Sequence, residues 1–142
     1  MFTAVPVEIV MDPESATRLV GGSATFNCAT SGTLPLTFMW YKDGESAALV
    51  AGGSVSISNQ PNESSLTLTN IASSDAGAYY CVASNNLVGG IFTSNSTLAN
   101  LTVHGKYIVL LDFVLLDFVL LDLTQFVDFF SSLSSYSSCD CS

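Results

Sequence analysis

The stretch LTLTNIASSDAGAYYC, from Leu66 to Cys81, decides the fold of this 142-residue chain. Its beginning alternates leucine with threonine, and its end places Tyr79 and Cys81 on the same side of a second alternating run. Such period-two alternation is typical of β-strands that bury one face. The polar segment between the two runs contains Asp75, a residue type that favours turns. The stretch therefore predicts two strands joined by a turn.

The same kind of pattern continues over most of the chain. Between residues 6 and 104, short runs rich in Val, Ile, Thr and aromatic residues are separated by clusters of Gly, Pro, Ser and Asn, without a helical stripe. So many short strands favour an all-β fold, an antiparallel sandwich of two sheets. We expect one domain at 6–104, a leader or linker at 1–5 and a separate tail at 105–142. The predicted strands are 6–10, 16–20, 23–30, 36–42, 47–50, 54–58, 65–70, 78–84 and 96–104.

Two of the four cysteines belong to predicted strands. In SATFNCA, Cys28 shares one strand face with Phe26, and in AYYCVAS, Cys81 shares one with Tyr79. Because these faces carry apolar residues, both thiols are predicted to enter the same core from different sheets. Facing thiols can form a disulfide, but the alternation leaves their oxidation state open.

Five features occur in order along the chain: a cysteine in GGSATFNC, a tryptophan in FMWYKDG, an alternating leucine pair, Asp-x-Gly-x-Tyr, and a second cysteine two residues after that tyrosine. Together they resemble the immunoglobulin superfamily, most closely its intermediate, or I-set, type. The resemblance covers about residues 6–104. It implies a disulfide packed against the tryptophan and a tyrosine corner, in which the tyrosine hydroxyl bonds to upstream backbone. The residues to which it assigns structural roles are Cys28, Cys81, Trp40, Leu68, Asp75 and Tyr79.

The chain departs from the family pattern in two places. The interval between Trp40 and Leu68 has room for a short C′ strand, a D strand and the start of the E strand, but not for an additional C″ strand. The D-strand stretch SVSISN contains no Arg that would pair with Asp75. We therefore expect Asp75 to cap the turn between the E and F strands by accepting backbone hydrogen bonds.

The charge of the chain argues against several function classes. The net charge of −9 comes from 12 acidic and 3 basic residues, and Arg18, Lys42 and Lys106 are too few and too dispersed to bind a phosphate backbone. The sequence contains no paired nucleophile and base and no glycine-rich phosphate loop. His104, the only histidine, follows the last strand without an evident partner. We predict that the protein is not an enzyme, binds no nucleic acid and needs no cofactor or metal.

Three N-glycosylation sequons begin at Asn62, Asn95 and Asn100. Beside two cysteines predicted to face each other, they favour an exported domain, located outside the cell or at the cell surface. The first residues, MFTAVPVEIVMDPES, have neither the basic start nor the unbroken apolar stretch of a secretory signal. We therefore expect the chain to be a piece of a longer multidomain protein.

The alternation also predicts a binding face on the sheet that contains the 36–42 and 78–84 strands. In related domains this face often pairs with another immunoglobulin domain, and an aromatic, methionine-bearing patch has the composition of an interface core. Asn100 points outward on the same sheet, so a glycan there would partly shield the patch. In that case the long loop at 85–95 or the opposite sheet becomes the better candidate. The predicted interface residues are Met39, Tyr41, Tyr80 and Val82.

The tail contains a repeated segment, VLLDFVLLDFVLLDL at 109–123, within an apolar stretch at 107–130. The stretch is long enough for a membrane anchor, but its four aspartates cost about 10–14 kcal/mol against about 5–10 returned by the apolar residues. Anchoring is therefore disfavoured, and we interpret the tail as a repeat expansion, a misread exon boundary or an altered frame, without a selected fold. Cys139 and Cys141 beyond it are a weak metal pattern and are interpreted as free thiols.

These features favour an extracellular immunoglobulin-like domain for protein–protein recognition or cell adhesion, as a fragment of a multidomain receptor. Its expected partner is another immunoglobulin-like domain or a cell-surface ligand. A secreted immune-type recognition molecule is the alternative of the same class. A structural I-set domain of an intracellular filament protein is the alternative of a different class.

Overall fold

The computed structural model describes residues 3–105. In this part of the chain, nine β-strands form two packed sheets, and one 3-10 turn precedes the seventh strand. The predicted all-β, immunoglobulin-like sandwich is confirmed. The strands are β1 (Glu8–Met11), β2 (Ala16–Leu19), β3 (Ala24–Ser31), β4 (Thr37–Lys42), β5 (Val55–Asn59), β6 (Glu63–Leu68), β7 (Gly77–Leu87), β8 (Gly90–Asn95) and β9 (Ala99–His104), and the turn spans Ser73–Asp75.

The first sheet has the strand order β1-β3-β6-β5, and the second has the order β2-β9-β7-β4, with β8 also paired to β7. One pairing departs from the antiparallel prediction, because β2 runs parallel to β9. Pro13 is buried between β1 and β2. Since proline has no N–H to donate to a ladder, the chain ends its pairing in the first sheet there and enters the second. A parallel pair needs a long connection, and most of the domain lies between β2 and β9.

The core lies between the two sheets and follows from alternation along the strands. On β3 every second residue is buried, and β6 and β7 show the same pattern. Phe26 and Tyr79 stack across the core with ring centroids 5.4 Å apart. Burying one large apolar side chain contributes about 1.5–3 kcal/mol, so this layer is the main source of stability. The buried apolar residues are Val7, Ala24, Phe26, Cys28, Phe38, Trp40, Leu66, Leu68, Ile71, Tyr79, Cys81, Ala83, Ala99 and Leu101.

The predicted strand at 47–50 is wrong, since these residues form no strand. The N–H of Leu49 donates to the carbonyl of Trp40 at 2.7 Å, but no ladder follows. Gly44 and Gly52 have φ angles of 88° and 153° on either side of the segment. Such positive φ angles turn the chain sharply, so it touches β4 at one point instead of running alongside it.

The predicted loop at 85–95 is also wrong. β7 and β8 form a hairpin there, in which Leu87 pairs with Gly90. Gly89 and Gly90 lie at the turn of this hairpin, with φ angles of 124° and 134°. The predicted strand at 96–104 begins only at Ala99. Alternation is weak over the polar and glycine-rich residues of this hairpin, which is why the pattern did not reveal β8.

Within residues 3–105, no helix is long and apolar enough to cross a bilayer. The predicted tail lies outside the described residues from Lys106 onwards, together with the candidate anchor at 107–130 and the thiols of Cys139 and Cys141.

Candidate protein-binding site

The four residues of the predicted interface are brought together by the pairing of β4 with β7. Met39 lies directly opposite Val82, and Tyr41 lies directly opposite Tyr80. The two tyrosine rings stack with centroids 5.4 Å apart and planes 16° from parallel. The Tyr41 hydroxyl is 3.5 Å from the Met39 sulfur. Met39 is 49% exposed and the other three are half-buried, so they form one apolar surface, which we call the β4–β7 patch.

The β4–β7 patch is bordered mainly by polar, uncharged side chains. The outward positions next to it on β4, β7, β8 and β9 carry hydroxyl or amide groups, except for Ala78 and Ile91, and the exposed Asp43 follows Tyr41 at one end of the patch. An apolar centre with a mainly polar rim resembles the arrangement of protein interfaces, in which charged residues are depleted from the core. These outward residues are Thr37, Ala78, Ser84, Asn86, Ile91, Thr93, Asn95 and Asn100.

Two of the three sequons lie on the face that carries the patch. Asn95, on β8, is paired directly with Val82, and both Asn95 and Asn100 are exposed. Asn100, on β9, is paired with Ala78, the next outward residue of β7 after Tyr80. Strand alternation predicted Asn100 on this face but not Asn95, because the sequence pattern did not reveal β8. Asn62 lies in the turn before β6, on the first sheet.

The patch is held in place by two links between the sheets. Cys28 on β3 and Cys81 on β7 form a disulfide with a Cα–Cα distance of 6.4 Å. Trp40 is paired with Cys81, and Ser64 is paired with Cys28. The indole N–H of Trp40 donates to the Ser64 hydroxyl oxygen at 2.9 Å, and that hydroxyl donates to Asn59 Oδ1 at 2.6 Å. A hydrogen bond therefore links the two sheets beside the disulfide. Because successive side chains on a strand point to opposite faces, the inward positions of Trp40 and Cys81 place Tyr41, Tyr80 and Val82 on the outer face.

Ser64 is a core residue that sequence analysis did not identify. It is 3% exposed, although it occupies the third position of the Asn62 sequon. Its alternation with Leu66 and Leu68 was the available signal, because all three lie on the inward face of β6. A buried hydroxyl needs hydrogen-bond partners, and Trp40 and Asn59 supply them.

The turn before β7 is stabilised by Asp75 and Tyr79. The backbone N–H of Ala72 donates to Asp75 Oδ2 at 2.8 Å, as expected for a capping aspartate. The Tyr79 hydroxyl donates to the Asp75 backbone carbonyl at 2.6 Å, which is the geometry of a tyrosine corner. Burial, followed by the carboxylates of Asp75 and Glu45, raises the pKa of Tyr79 to about 12. The hydroxyl therefore remains a donor throughout the physiological pH range.

Lys42 and Gly77 complete this turn. The ammonium group of Lys42 donates to the Ser74 carbonyl at 2.7 Å and lies 5.9 Å from the centre of the Tyr79 ring. Gly77 has a φ angle of 150°, and a Cβ atom there would be 2.8 Å from Lys42 Cε. The glycine of the Asp-x-Gly-x-Tyr motif thus leaves room for the lysine side chain.

A second polar core residue missed by sequence analysis is Asn85. It is 3% exposed, and its Oδ1 accepts the N–H of Val7 at 3.2 Å. Its Nδ2 donates to the carbonyls of Val5 and Thr33 at 3.0 and 3.1 Å. One side chain therefore joins the segment before β1, the loop after β3 and β7. Its inward position would have followed from extending the β7 alternation beyond residue 84.

Metal binding and the single histidine were the other features considered for a chemical role. Among residues 3–105, no group of three or more His, Cys, Asp or Glu residues is placed to hold a metal. His104 is exposed at the end of β9, where its backbone carbonyl accepts the N–H of Val20 at 2.9 Å. The features with a recognisable arrangement are thus the β4–β7 patch and the structural residues beneath it.

Known proteins resemble this chain over the same region. Kin of IRRE-like protein 3 of Homo sapiens is 33% identical over 98 residues, which are 69% of this chain and 11% of that protein. Peroxidasin homolog pxn-1 of Caenorhabditis elegans is 32% identical over 105 residues, 74% of this chain and 8% of that protein. The chain thus spans about a tenth of the length of these relatives.

Solved structures show the same fold. An I-band fragment of titin has a TM-score of 0.61 and 31% identity, over 72% of this chain and 34% of that one. A chain in a complex of titin with obscurin-like 1 Ig has a TM-score of 0.60 and 27% identity, over 73% and 99% of the two chains. The profile of the immunoglobulin I-set domain matches residues 7–103. The chain therefore belongs to the immunoglobulin I-set domain family.

Proposed function

We propose that this I-set domain acts in protein–protein recognition or cell adhesion, outside the cell or at its surface, as part of a multidomain receptor. Its partner would be another immunoglobulin-like domain or a cell-surface ligand, bound through the β4–β7 patch. Immunoglobulin domains are generally not enzymes, and we propose that this chain catalyses nothing either.

The observation that carries this proposal is the pairing within the patch. Tyr41 and Tyr80 are stacked side by side on a sheet face, next to Met39 and Val82. Tyrosine offers a large contact area with little loss of side-chain entropy, and it is enriched at interface hot spots. The four patch residues carry no charge, so binding through them desolvates no ionised side chain of the patch itself. The complex of titin with obscurin-like 1 Ig supports an immunoglobulin-like partner.

Export of the domain is supported by its covalent chemistry. Disulfides such as Cys28–Cys81 persist mainly in oxidising compartments. The asparagines of all three sequons are exposed, so each would accommodate a glycan at the surface.

A structural I-set domain of an intracellular filament protein is the second candidate. The observation that favours it is the 31% identity to the titin I-band fragment. The two candidates predict different covalent states in cells. Glycans on the sequons and an oxidised cysteine pair support export, whereas unoccupied sequons with reduced Cys28 and Cys81 would support the filament protein. Mass spectrometry after thiol alkylation and deglycosylation measures both.

The binding face is tested with the double variant Tyr41→Ala and Tyr80→Ala. Once a cell-surface partner has been found by screening soluble ectodomains, we expect this variant to bind at least about tenfold more weakly. The matched control is the double variant Ser56→Ala and Ser58→Ala, which changes two exposed residues on β5 of the opposite sheet. Unchanged affinity of the tyrosine variant, or equal loss in the serine variant, would reject the face.

A further inference from the structure

The outer edge of β8 is open. Within residues 3–105, β8 pairs with β7 and with no other strand. All of its residues except Ser94 are exposed. β1 lies close to β8, and the N–H of Ile9 donates to the Ser94 hydroxyl at 3.2 Å. This hydrogen bond ends on a side-chain oxygen, so it uses none of the outer backbone groups of β8.

The register identifies those backbone groups. The N–H of Ser96 donates to the carbonyl of Cys81 at 2.9 Å, one residue beyond the end of β8. Because hydrogen-bonded and non-hydrogen-bonded pairs alternate in an antiparallel ladder, Ser94 and Phe92 also direct their N–H and C=O groups to β7. The residues between them direct theirs away from the sheet. We call these outward backbone groups, on Ile91, Thr93 and Asn95, the free edge of β8.

The other outer strands differ from β8. Glu8 in β1 and Arg18 in β2 place charges on those strands, which is a common protection against edge pairing. On β4, the carbonyl of Trp40 already accepts a backbone N–H from the following loop at 2.7 Å. On β5, Val55 exchanges two backbone bonds with the preceding turn, at 2.8 and 3.0 Å. β8 contains neither a charged residue nor a proline.

Charge favours a second copy of the chain as the occupant of this edge. The chain has a net charge of −9, so two copies repel each other over most of their surface. From Ala76 to Gly105, however, the sequence contains no Asp, Glu, Lys or Arg. The two β8 strands that would pair therefore carry no like charges. They also fill both open edges at once, whereas a single added strand would leave a new edge exposed.

We propose that β8 pairs antiparallel with β8 of a second copy, across a two-fold axis at Thr93, so that two domains share one continuous sheet. Ile91 of each copy then lies opposite Asn95 of the other, and the two Thr93 residues face each other. Each of these pairs exchanges two backbone bonds, about six in all. The contact uses the strand edge, not the β4–β7 patch, and does not depend on the function proposed above.

The pairing requires an Asn95 without a glycan, since Asn95 lies at the shared seam. The full chain is therefore produced without N-glycans, with its disulfide intact, and its mass is measured over a concentration range. We expect about twice the monomer mass at high concentration. Residue-resolved hydrogen exchange should then slow at the amides of Ile91, Thr93 and Asn95 on association. The amides of Phe92 and Ser94, bonded to β7, should be protected at all concentrations and report that the hairpin is folded.

Two variants at one position test the register. Thr93→Pro removes the outward N–H, and proline is tolerated on an edge strand where no ladder bond is lost. Thr93→Ala removes the same side chain but keeps the N–H. We expect the proline variant to dissociate at least about tenfold more readily than the alanine variant. Tyr80→Ala, which changes the patch, should leave the dimer intact.

Four kinds of result would overturn the proposal. The first is a monomer at every concentration. The second is association without slower exchange at the three outward amides, which would show that another part of the chain, such as residues 106–142, or another surface forms the contact. The third is equal dissociation of the proline and alanine variants, or loss of the dimer in Tyr80→Ala. An added strand from a different protein, seen as protection only in a mixture, would likewise reject self-pairing.

Discussion

Asn95 on β8 lies directly opposite Val82 on β7, with both residues on the outer face of the second sheet. Side chains paired in this way have Cβ atoms about 4.5–5.5 Å apart. A sequon asparagine is thus an immediate neighbour of the apolar patch proposed to bind protein. Asn100 approaches the patch from β9 on the same face. A glycan on Asn95 or Asn100 would therefore compete with the proposed partner for one surface.

Removing the glycans of this face should expose the patch. In protein made by a glycosylating host, the double variant Asn95→Gln and Asn100→Gln is expected to be retained more strongly on a hydrophobic interaction column, because Tyr41 and Tyr80 become accessible. Asn62→Gln removes a glycan beside the first sheet and serves as the control. Equal retention of the double variant and Asn62→Gln would show that these glycans do not cover the patch.

Ser64→Ala should destabilise the domain by about 1–3 kcal/mol, because it leaves the buried N–H of Trp40 without its acceptor. The free energy of unfolding is measured by chemical denaturation. Asn62→Gln abolishes the same sequon without touching the core, so the difference between the two variants isolates the hydrogen bond. A similar loss of unfolding free energy in Ser64→Ala and Asn62→Gln would contradict a role for Ser64 in the core.

Tyr79→Phe should cost about 0.5–1.5 kcal/mol at neutral pH, because the bond to the Asp75 carbonyl is lost. Above pH 10.0 the unfolded state releases the Tyr79 proton, whereas the folded state keeps it until about pH 12. The contribution of Tyr79 to the free energy of unfolding is therefore fully present below pH 10.0 and falls as pH rises towards 12. The difference between wild type and Tyr79→Phe should therefore narrow in this window.

Denaturation at a series of pH values measures this narrowing. Tyr80→Phe is the matched control, because Tyr80 lies on the outer face and its hydroxyl is not part of the corner. A stability difference between wild type and Tyr79→Phe that stays constant above pH 10.0 would contradict the raised pKa.

Asn85→Ala should destabilise the domain by about 1–3 kcal/mol, since it leaves the buried N–H of Val7 without its acceptor and removes a donor from the part-buried carbonyls of Val5 and Thr33. Asn86→Ala changes the exposed neighbour and is expected to alter stability by less than about 0.5 kcal/mol. The free energy of unfolding of both variants is measured by urea denaturation. Faster hydrogen exchange in β1 should accompany the loss, because Asn85 holds the segment that enters it.

Much of the fold and part of the site were predictable because alternation reports the buried face of a strand. The inward positions of Phe26, Trp40 and Tyr79, and the outward position of Tyr41, followed from this pattern. The strand at 47–50 and the hairpin at 85–95 were not predicted correctly. Whether a segment pairs with a neighbour depends on where glycine turns direct the chain, and local composition carries little information about that.

The sequence by itself determined the family, the two facing cysteines and the side of the sheet on which the tyrosines lie, because these depend on residue type and on a period of two along each strand. Tertiary structure alone decided that Asn95 is paired with Val82, that Ser64 accepts the hydrogen bond of Trp40, and that the edge of β8 is open. Each of these depends on the register between segments distant along the chain. Register is a property of the packed sheets, since sliding one strand by two residues keeps the same side chains inward but changes every neighbour.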